Sequence, residues 1–422
     1  MRRMKPVFFF ILLLLAMIPM GNASGDAPLL QVSDLKYQGA FRVPQGTSDQ
    51  TSFAYGGTGP GYNPANNSLF MVGHDWYQLT AEISIPALVN STNLNSLHTA
   101  TLLQTYTDVT NGKASNVGSG TYKMGGLLPY GGQLYSTVYL YYDASGSQVL
   151  SHYVSSPNLS NHNAQGPFQV GSWAGIVSGY MALIPSEWQS AFGGSALTGN
   201  CCLSIISRTS YGPAASVFNP SDVGVKNPIP ATPILYYPSA HPLEPYGAAG
   251  SHLLFSGTTQ IRGLVFPSGT RSLLFIGSQG TGPYCYGEGT SDPSLNNQPV
   301  PGESGVIYCY DPASTSKGEH AYPYKYQIWA YDANELLAVK SGQKNPWDVM
   351  PYGVWNFNLP LESTGSRHGI GGAAYDPATQ RIYISQACEA SGCNPIIHVF
   401  KVDVAAGSDT TPPAAPTKLQ IR

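Results

Sequence analysis

The chain has 422 residues, only 10% of them charged, and a formal net charge of −3. It is rich in Gly (47), Pro (34) and Tyr (28), which excludes a helical bundle and fits many short strands and turns whose surfaces carry hydroxyls and amides. The acidic balance also argues against nucleic acid or an anionic membrane as partner.

Arg2, Arg3 and Lys5 precede an apolar run from Val7 to Met17, and small residues at 21–24 suit cleavage, so residues 1–24 read as a signal peptide. No later window offers the roughly 20 apolar residues that a membrane span needs. The mature chain, with a formal charge of −6 once three N-terminal cations are removed, is expected to be secreted, extracellular or at the cell surface.

The next element is a strand, "LKYQGAFRVP" from Leu35 to Pro44. A hairpin follows, "GPGYNPANNSLFMVG", in which Tyr62 stands three residues after Gly59 and Leu69 seven after that. The same spacing returns at Gly263, Phe266 and Leu273, and again at Gly372, Tyr375 and Ile382. A looser relative runs from Gly125 to Asp143, and a degenerate one pairs "GYMALIPSEW" with "CCLSIIS". Each reads as strand, tight turn, strand. Third and fourth strands follow in "LTAEISIP" and "TATLLQTYTD" after the first repeat, and in "YKYQIWAYD" and "YGVWNFNLP" after the fourth, where "ANELLAVKSG" between them reads as a short helix.

Four antiparallel strands per unit make the blade of a β-propeller. The expected fold is therefore all-β, a propeller over residues 30–405 with units at 52–110, 118–175, 178–240, 255–361 and 364–404. Six or seven blades result if 255–361 splits. The fifth unit lacks a fourth strand, which the N-terminal strand supplies to close the ring and leave few open edges. Residues 406–422, rich in Pro and Thr, read as a linker or tail.

Six cysteines in an exported chain point to bridges rather than metal ligands. Cys285 pairs with Cys309 across an insertion and Cys388 with Cys393 across a small loop, while Cys201 and Cys202 either bridge each other or pair elsewhere. No zinc or calcium signature is present, so no cofactor is expected, although calcium remains conceivable.

Loops between second and third strands, and the entrances to innermost strands, share one face of a propeller. That face is expected to collect His74, Asp75, Trp76, Tyr142 and Glu288 from the former, and Tyr55, Lys123, Tyr180, Arg262, Arg367 and His368 from the latter. Cations there pair with carboxylate or sulfate and aromatic rings stack on sugars. His74, His368, Tyr142 and Asp75 are the catalytic candidates; Arg262, Arg367, Trp76, Tyr55, Lys123 and Glu288 are the candidates for holding substrate. The plainer assignments are a turn for His74-Asp75, interblade packing for Trp76 and a solvated loop position for Glu288. No hydrolase elbow, HExxH or phosphate loop occurs.

The stretches "FAYGGTGPGYNPANNSLFMVGHDW", "AEISIP" and "YPYKYQIWAYDANELLAVKSGQKNPWDVMPYGVW" resemble those of uncharacterised exported bacterial proteins. The resemblance runs over most of the mature chain and implies no activity or catalytic residue. In layout the chain is also similar to five-bladed propellers that act on or bind glycans. The expected function is a monomeric, glycan-directed protein that cleaves an acidic polysaccharide as a lyase or glycosidase; the alternative is a non-catalytic glycan-binding, adhesion or surface-scaffold module.

Overall fold

The computed structural model describes residues 27–250, 253–361 and 368–404. The expected signal peptide, the C-terminal tail and Arg367 lie outside them. Among the described residues no helix is long and apolar enough to cross a membrane.

The chain is all-β in a propeller-type layout, with three separate four-stranded blade-like sheets and two more four-stranded units joined into one eight-stranded sheet by a single parallel pairing, Gly263 with Ala373. Strand β1 (Leu35–Arg42) comes first. Unit 1 contains β2 (Thr58–Asn63), β3 (Ser68–Val72), β4 (Thr80–Ser84) and β5 (Leu102–Thr107). Unit 2 contains β6 (Tyr122–Tyr130), β7 (Gln133–Leu140), β8 (Leu150–Ser155) and β9 (Gln165–Gln169). Unit 3 contains β10 (Met181–Leu183), β11 (Ala196–Thr198), β12 (Ala215–Phe218) and β13 (Ala231–Leu235). Unit 4 opens with β14 (Gln260–Val265) and β15 (Ser272–Gly280). An insertion then forms its own small sheet from β16 (Cys285–Thr290), β17 (Tyr308–Tyr310) and β18 (Lys317–His320). Unit 4 resumes with β19 (Tyr324–Asp332) and β20 (Gly353–Phe357). Unit 5 contains β21 (Ile370–Asp376), β22 (Arg381–Ala390) and β23 (Asn394–Val402), and β1 pairs antiparallel with β23 as its fourth strand.

The second strands of units 1 and 4 are continuous apolar runs because both of their faces are buried. In β3, Leu69 and Met71 pack towards unit 5 with Tyr383 and Val399, while Phe70 and Val72 pack towards unit 2 with Met124 and Val138. In β15, Leu273 and Phe275 join unit 3, and Leu274 and Ile276 join Ile382 and Ile384 of unit 5. A further cluster joins Leu128 and Tyr135 to Met181 and Phe218, between units 2 and 3. Apolar clusters thus lie between each unit and the next, and between the last and the first.

The repeated glycine has a steric cause. A Cβ on Gly59 would stand 3.1 Å from the Gly126 Cα, one on Gly263 2.7 Å from the Ala373 Cβ, and one on Gly372 2.5 Å from the Pro60 Cδ. The first strands of these units therefore approach one another closely through positions without side chains. Each also carries a bulge beside that glycine: between Thr58 and Gly61 in β2, Met124 and Gly126 in β6, Ile261 and Gly263 in β14, and Ile370 and Gly372 in β21.

Unit 3 departs from the expected hairpin. After β10, Pro185 starts a helix, α1 (Ser186–Phe192), which buries Trp188 and Phe192. The second strand is Ala196–Thr198, so "CCLSIIS" is the loop after it and not a strand. A second helix, α2 (Ala333–Lys340), occupies the segment expected to be helical, with the Asp332 carboxylate accepting from the Asn334 N–H. The segment 277–309, expected to be one long loop, instead holds the end of β15 and then β16 and β17, which with β18 form the three-stranded insertion.

Candidate active site

The bulge in β14 determines where Arg262 points. A bulged residue is left without a cross-strand partner and its side chain is re-aimed. In β6 and β21 the corresponding bulged residues are Gly125 and Gly371, where a Cβ would meet backbone oxygens at 2.3 and 2.6 Å. Unit 4 alone among these three places a long side chain there. The Arg262 Nη1 donates to the Tyr139 Oη of β7 at 2.8 Å, linking units 4 and 2. The pKa of Arg262 is raised, foremost by the Tyr139 oxygen, against an opposing effect of burial. Among the described residues it makes no ion pair with a carboxylate.

A cavity of about 560 Å³ surrounds this group, lined also by Tyr55, Asp75, Trp76, Gln78, Lys123, Tyr141 and Gln260. Its size lies within the roughly 300–1,000 Å³ of small-ligand sites. A second cavity, of about 290 Å³, is apolar and takes residues from the first strand of every unit, among them Gly61, Leu128, Met181, Val265 and Ala374. Along β2, β6, β14 and β21 its residues follow those of the Arg262 cavity, while β10 lines only the apolar cavity, so the two open at opposite ends of these strands.

The loop between β3 and β4 is a clip between units. The His74 carbonyl accepts from the Tyr77 and Gln78 N–H groups, and the His74 Nδ1 accepts from the Trp76 N–H at 3.1 Å. Lys123 Nζ donates to the Asp75 Oδ2 at 2.6 Å and to its carbonyl at 2.9 Å, while the Gln78 Oε1 accepts from the Met124 N–H at 2.6 Å. His74 is buried and faces Tyr55 and Tyr77. It supports the loop and does not line the cavity. Asp75 does, and is the single carboxylate among the lining residues, already paired with Lys123.

Trp76 is 84% exposed and Tyr55 66% exposed at the mouth. The exposed large aromatics among the described residues are Tyr55, Trp76, Tyr77, Tyr141, Tyr142, Tyr286 and Tyr310, all from loops of this end or from the insertion. The Tyr55 N–H donates to the Cys393 carbonyl at 2.9 Å, so the Cys388–Cys393 disulfide braces the backbone that carries Tyr55. Cys285–Cys309 ties β16 to β17, and Cys201–Cys202 is a bridge between neighbours.

The structure thus brings together Tyr55, Asp75, Trp76, Lys123 and Arg262. It separates from them Tyr142, which projects to solvent outside the cavity; Glu288, which sits in β16 opposite Lys317; and His368, which is buried with its ring 4.6 Å from that of Tyr326. Tyr180 belongs to the core and donates to the Ala214 carbonyl. Sequence reasoning missed Tyr139. The signal was the alternation of Tyr135, Thr137 and Tyr139 along β7, which places them on one face of that strand. Among the described residues no group of three or more His, Cys, Asp or Glu side chains is placed to hold a metal ion.

No protein-family model matches the chain, and no curated protein matches it. Over 92% of its length it is similar, at 10% identity and a TM-score of 0.42, to the whole of a solved structure from the GH130 family of mannoside phosphorylases, described as containing glycoside hydrolases that target β-1,2 mannosidic linkages in Candida mannan. It is similar to a Xanthomonas campestris gluconolactonase at 12% identity and a TM-score of 0.30, over 90% of this chain and 96% of that one. It is also similar to the hydrazine synthase of Kuenenia stuttgartiensis at 11% identity and a TM-score of 0.31, covering 81% and 79%. Likenesses at these scores assign no activity to this chain.

Proposed function

We propose that the five units form a five-bladed propeller closed by the N-terminal strand, and that the Arg262 cavity binds an acidic glycan and cleaves it by β-elimination. The observation that carries this reading is Arg262 itself, a guanidinium without a carboxylate partner among the described residues, aimed into a cavity with an aromatic mouth. The guanidinium fork pairs with a uronate carboxylate or a sulfate, and Trp76, Tyr55 and Tyr141 offer faces for sugar rings.

Glycosidases use two flanking carboxylates, whereas the lining residues supply one, held by Lys123. Elimination needs different parts. A base removes the proton on the carbon beside the carboxylate, the electron pair of that C–H bond forms a C=C bond, and the adjacent C–O bond breaks, its oxygen taking a proton from solvent. Arg262 would neutralise the carboxylate as charge develops, and Tyr139, whose oxygen is 2.8 Å from the guanidinium, is the base within reach of the same ring: it would act as the phenolate, its own proton given up to solvent, and become the phenol on taking the ring proton.

The test is to incubate the mature protein with polyuronates and follow the ultraviolet absorbance of the unsaturated product. Wild type is expected to generate it and Tyr139→Phe to lose it while still binding. Binding of acidic glycans by wild type without product would instead support a binding module, the reading favoured by the exposed aromatic rim.

A further inference from the structure

A smaller cavity of about 190 Å³ adjoins the main one and shares Tyr141, Gln260 and Arg262 with it. Tyr246 and the turn at 257–259 before β14 form part of its wall, and the rest comes from two features that occur once in the chain. One is the loop after β11, where the Cys201–Cys202 bridge and Leu203 supply an apolar corner. That loop is tied to unit 2: the Ser204 hydroxyl donates to the Tyr141 carbonyl, and the Arg208 Nη2 donates to the Ala144 carbonyl at 2.8 Å. The other is β18 of the insertion, whose Glu319 accepts from the Tyr246 hydroxyl at 2.8 Å. The insertion sheet is itself braced by Cys285–Cys309.

Arg262 therefore stands at a junction, with a wide chamber open at an aromatic mouth on one side and a narrow, mainly polar chamber on the other. We propose that the narrow chamber is a second subsite that takes the sugar ring adjoining the anionic one, so that the preferred ligand is an acidic oligosaccharide of two or more rings. This rests on the acidic-glycan reading of the main cavity. An anionic group held at the junction leaves its neighbour along the chain in the narrow chamber. There hydroxyls meet polar walls and the ring's apolar face meets the cystine and Leu203.

The experiment is calorimetric titration of a uronate monosaccharide and its β-linked and α-linked disaccharides into wild type, Leu203→Trp, Ser316→Trp and Arg262→Ala. The two tryptophans fill the narrow chamber from different segments, the loop after β11 and the insertion, and circular dichroism checks that each variant folds. Wild type is expected to bind one disaccharide at least about tenfold more tightly than the monosaccharide, a ratio worth roughly 1.4 kcal/mol. Either tryptophan should reduce that ratio towards unity with monosaccharide affinity unchanged. Equal affinities in wild type, or a ratio that survives both tryptophans, would overturn the second subsite and leave the Arg262 reading standing. Monosaccharide binding that is absent from wild type, or equal in Arg262→Ala, would bring down both.

Discussion

At the scale of single residues the site depends on contrast. Arg262 occupies a bulge that glycine fills in units 2 and 5, and its hydrogen bond goes to the Tyr139 hydroxyl, while Asp75, the carboxylate of the same cavity, is ion-paired with Lys123. A hydrogen bond to a charged group contributes about 1.5–3 kcal/mol, so Arg262→Ala is expected to weaken uronate binding by about 10-fold or more. Arg262→Lys should recover only part of it, because a point charge lacks the planar fork; titration calorimetry reads both. Trp76, at 84% exposed, contributes little to the core. Trp76→Ala should lower glycan affinity by about 0.5–1.5 kcal/mol and leave the melting temperature within about a degree. Arg262 was legible because it directly precedes a repeat glycine. Tyr139 was not, because the contact that gives it meaning crosses from unit 4 to unit 2, and spacing within one unit carries no information about partners across the axis. His74 illustrates the reverse: its residue type suggests chemistry, but its ring nitrogen is committed to the Trp76 N–H.

At the scale of elements, the repeated Gly-x2-Tyr/Phe-x6-Leu/Ile spacing was legible because it encodes two physical demands at once, close approach of first strands and burial of second strands on both faces. Gly263→Ala tests the first. The new Cβ would lie 2.7 Å from that of Ala373 and 3.2 Å from that of Ile276, so the substitution should cost about 1–3 kcal/mol as overpacking, measured by urea denaturation. Unit 3 was misread because its strands β10 and β11 are only three residues each and a helix replaces the turn. A pattern that short has no period to detect, and the adjacent cysteines took on the look of a strand start. The insertion was legible as an interruption but not as a sheet, because its strand pairs are polar and braced by a disulfide rather than by an alternating apolar face.

At the scale of the whole molecule, apolar clusters between all successive units hold the assembly together, and buried histidines make it sensitive to acid. His152 bonds to Ser151 and Thr198, and His398 to Gln386 and Tyr37; burial pushes both down to about 3. An unfolded chain protonates them near 6.5, so below that pH the unfolded state binds more protons, and stability falls as pH drops from about 6.5 to about 3, by up to about 1.4 kcal/mol per pH unit for each histidine. Glu82 acts in the same direction: burial alone would raise its pKa, but hydrogen bonds from Ser68, Gln104, Asn66 and Asn63 hold it below the ordinary value. Denaturation midpoints at pH 7 and pH 4.5 should therefore differ markedly in wild type and less in His398→Gln. The central claim, that one cation in one cavity recognises an acidic glycan, is tested most directly by titrating matched charged and neutral oligosaccharides, a polyuronate fragment and its methyl ester, into wild type and Arg262→Ala. The expected result is binding of the charged form alone, lost in the variant; equal binding of both forms, or of the charged form by both proteins, would contradict it.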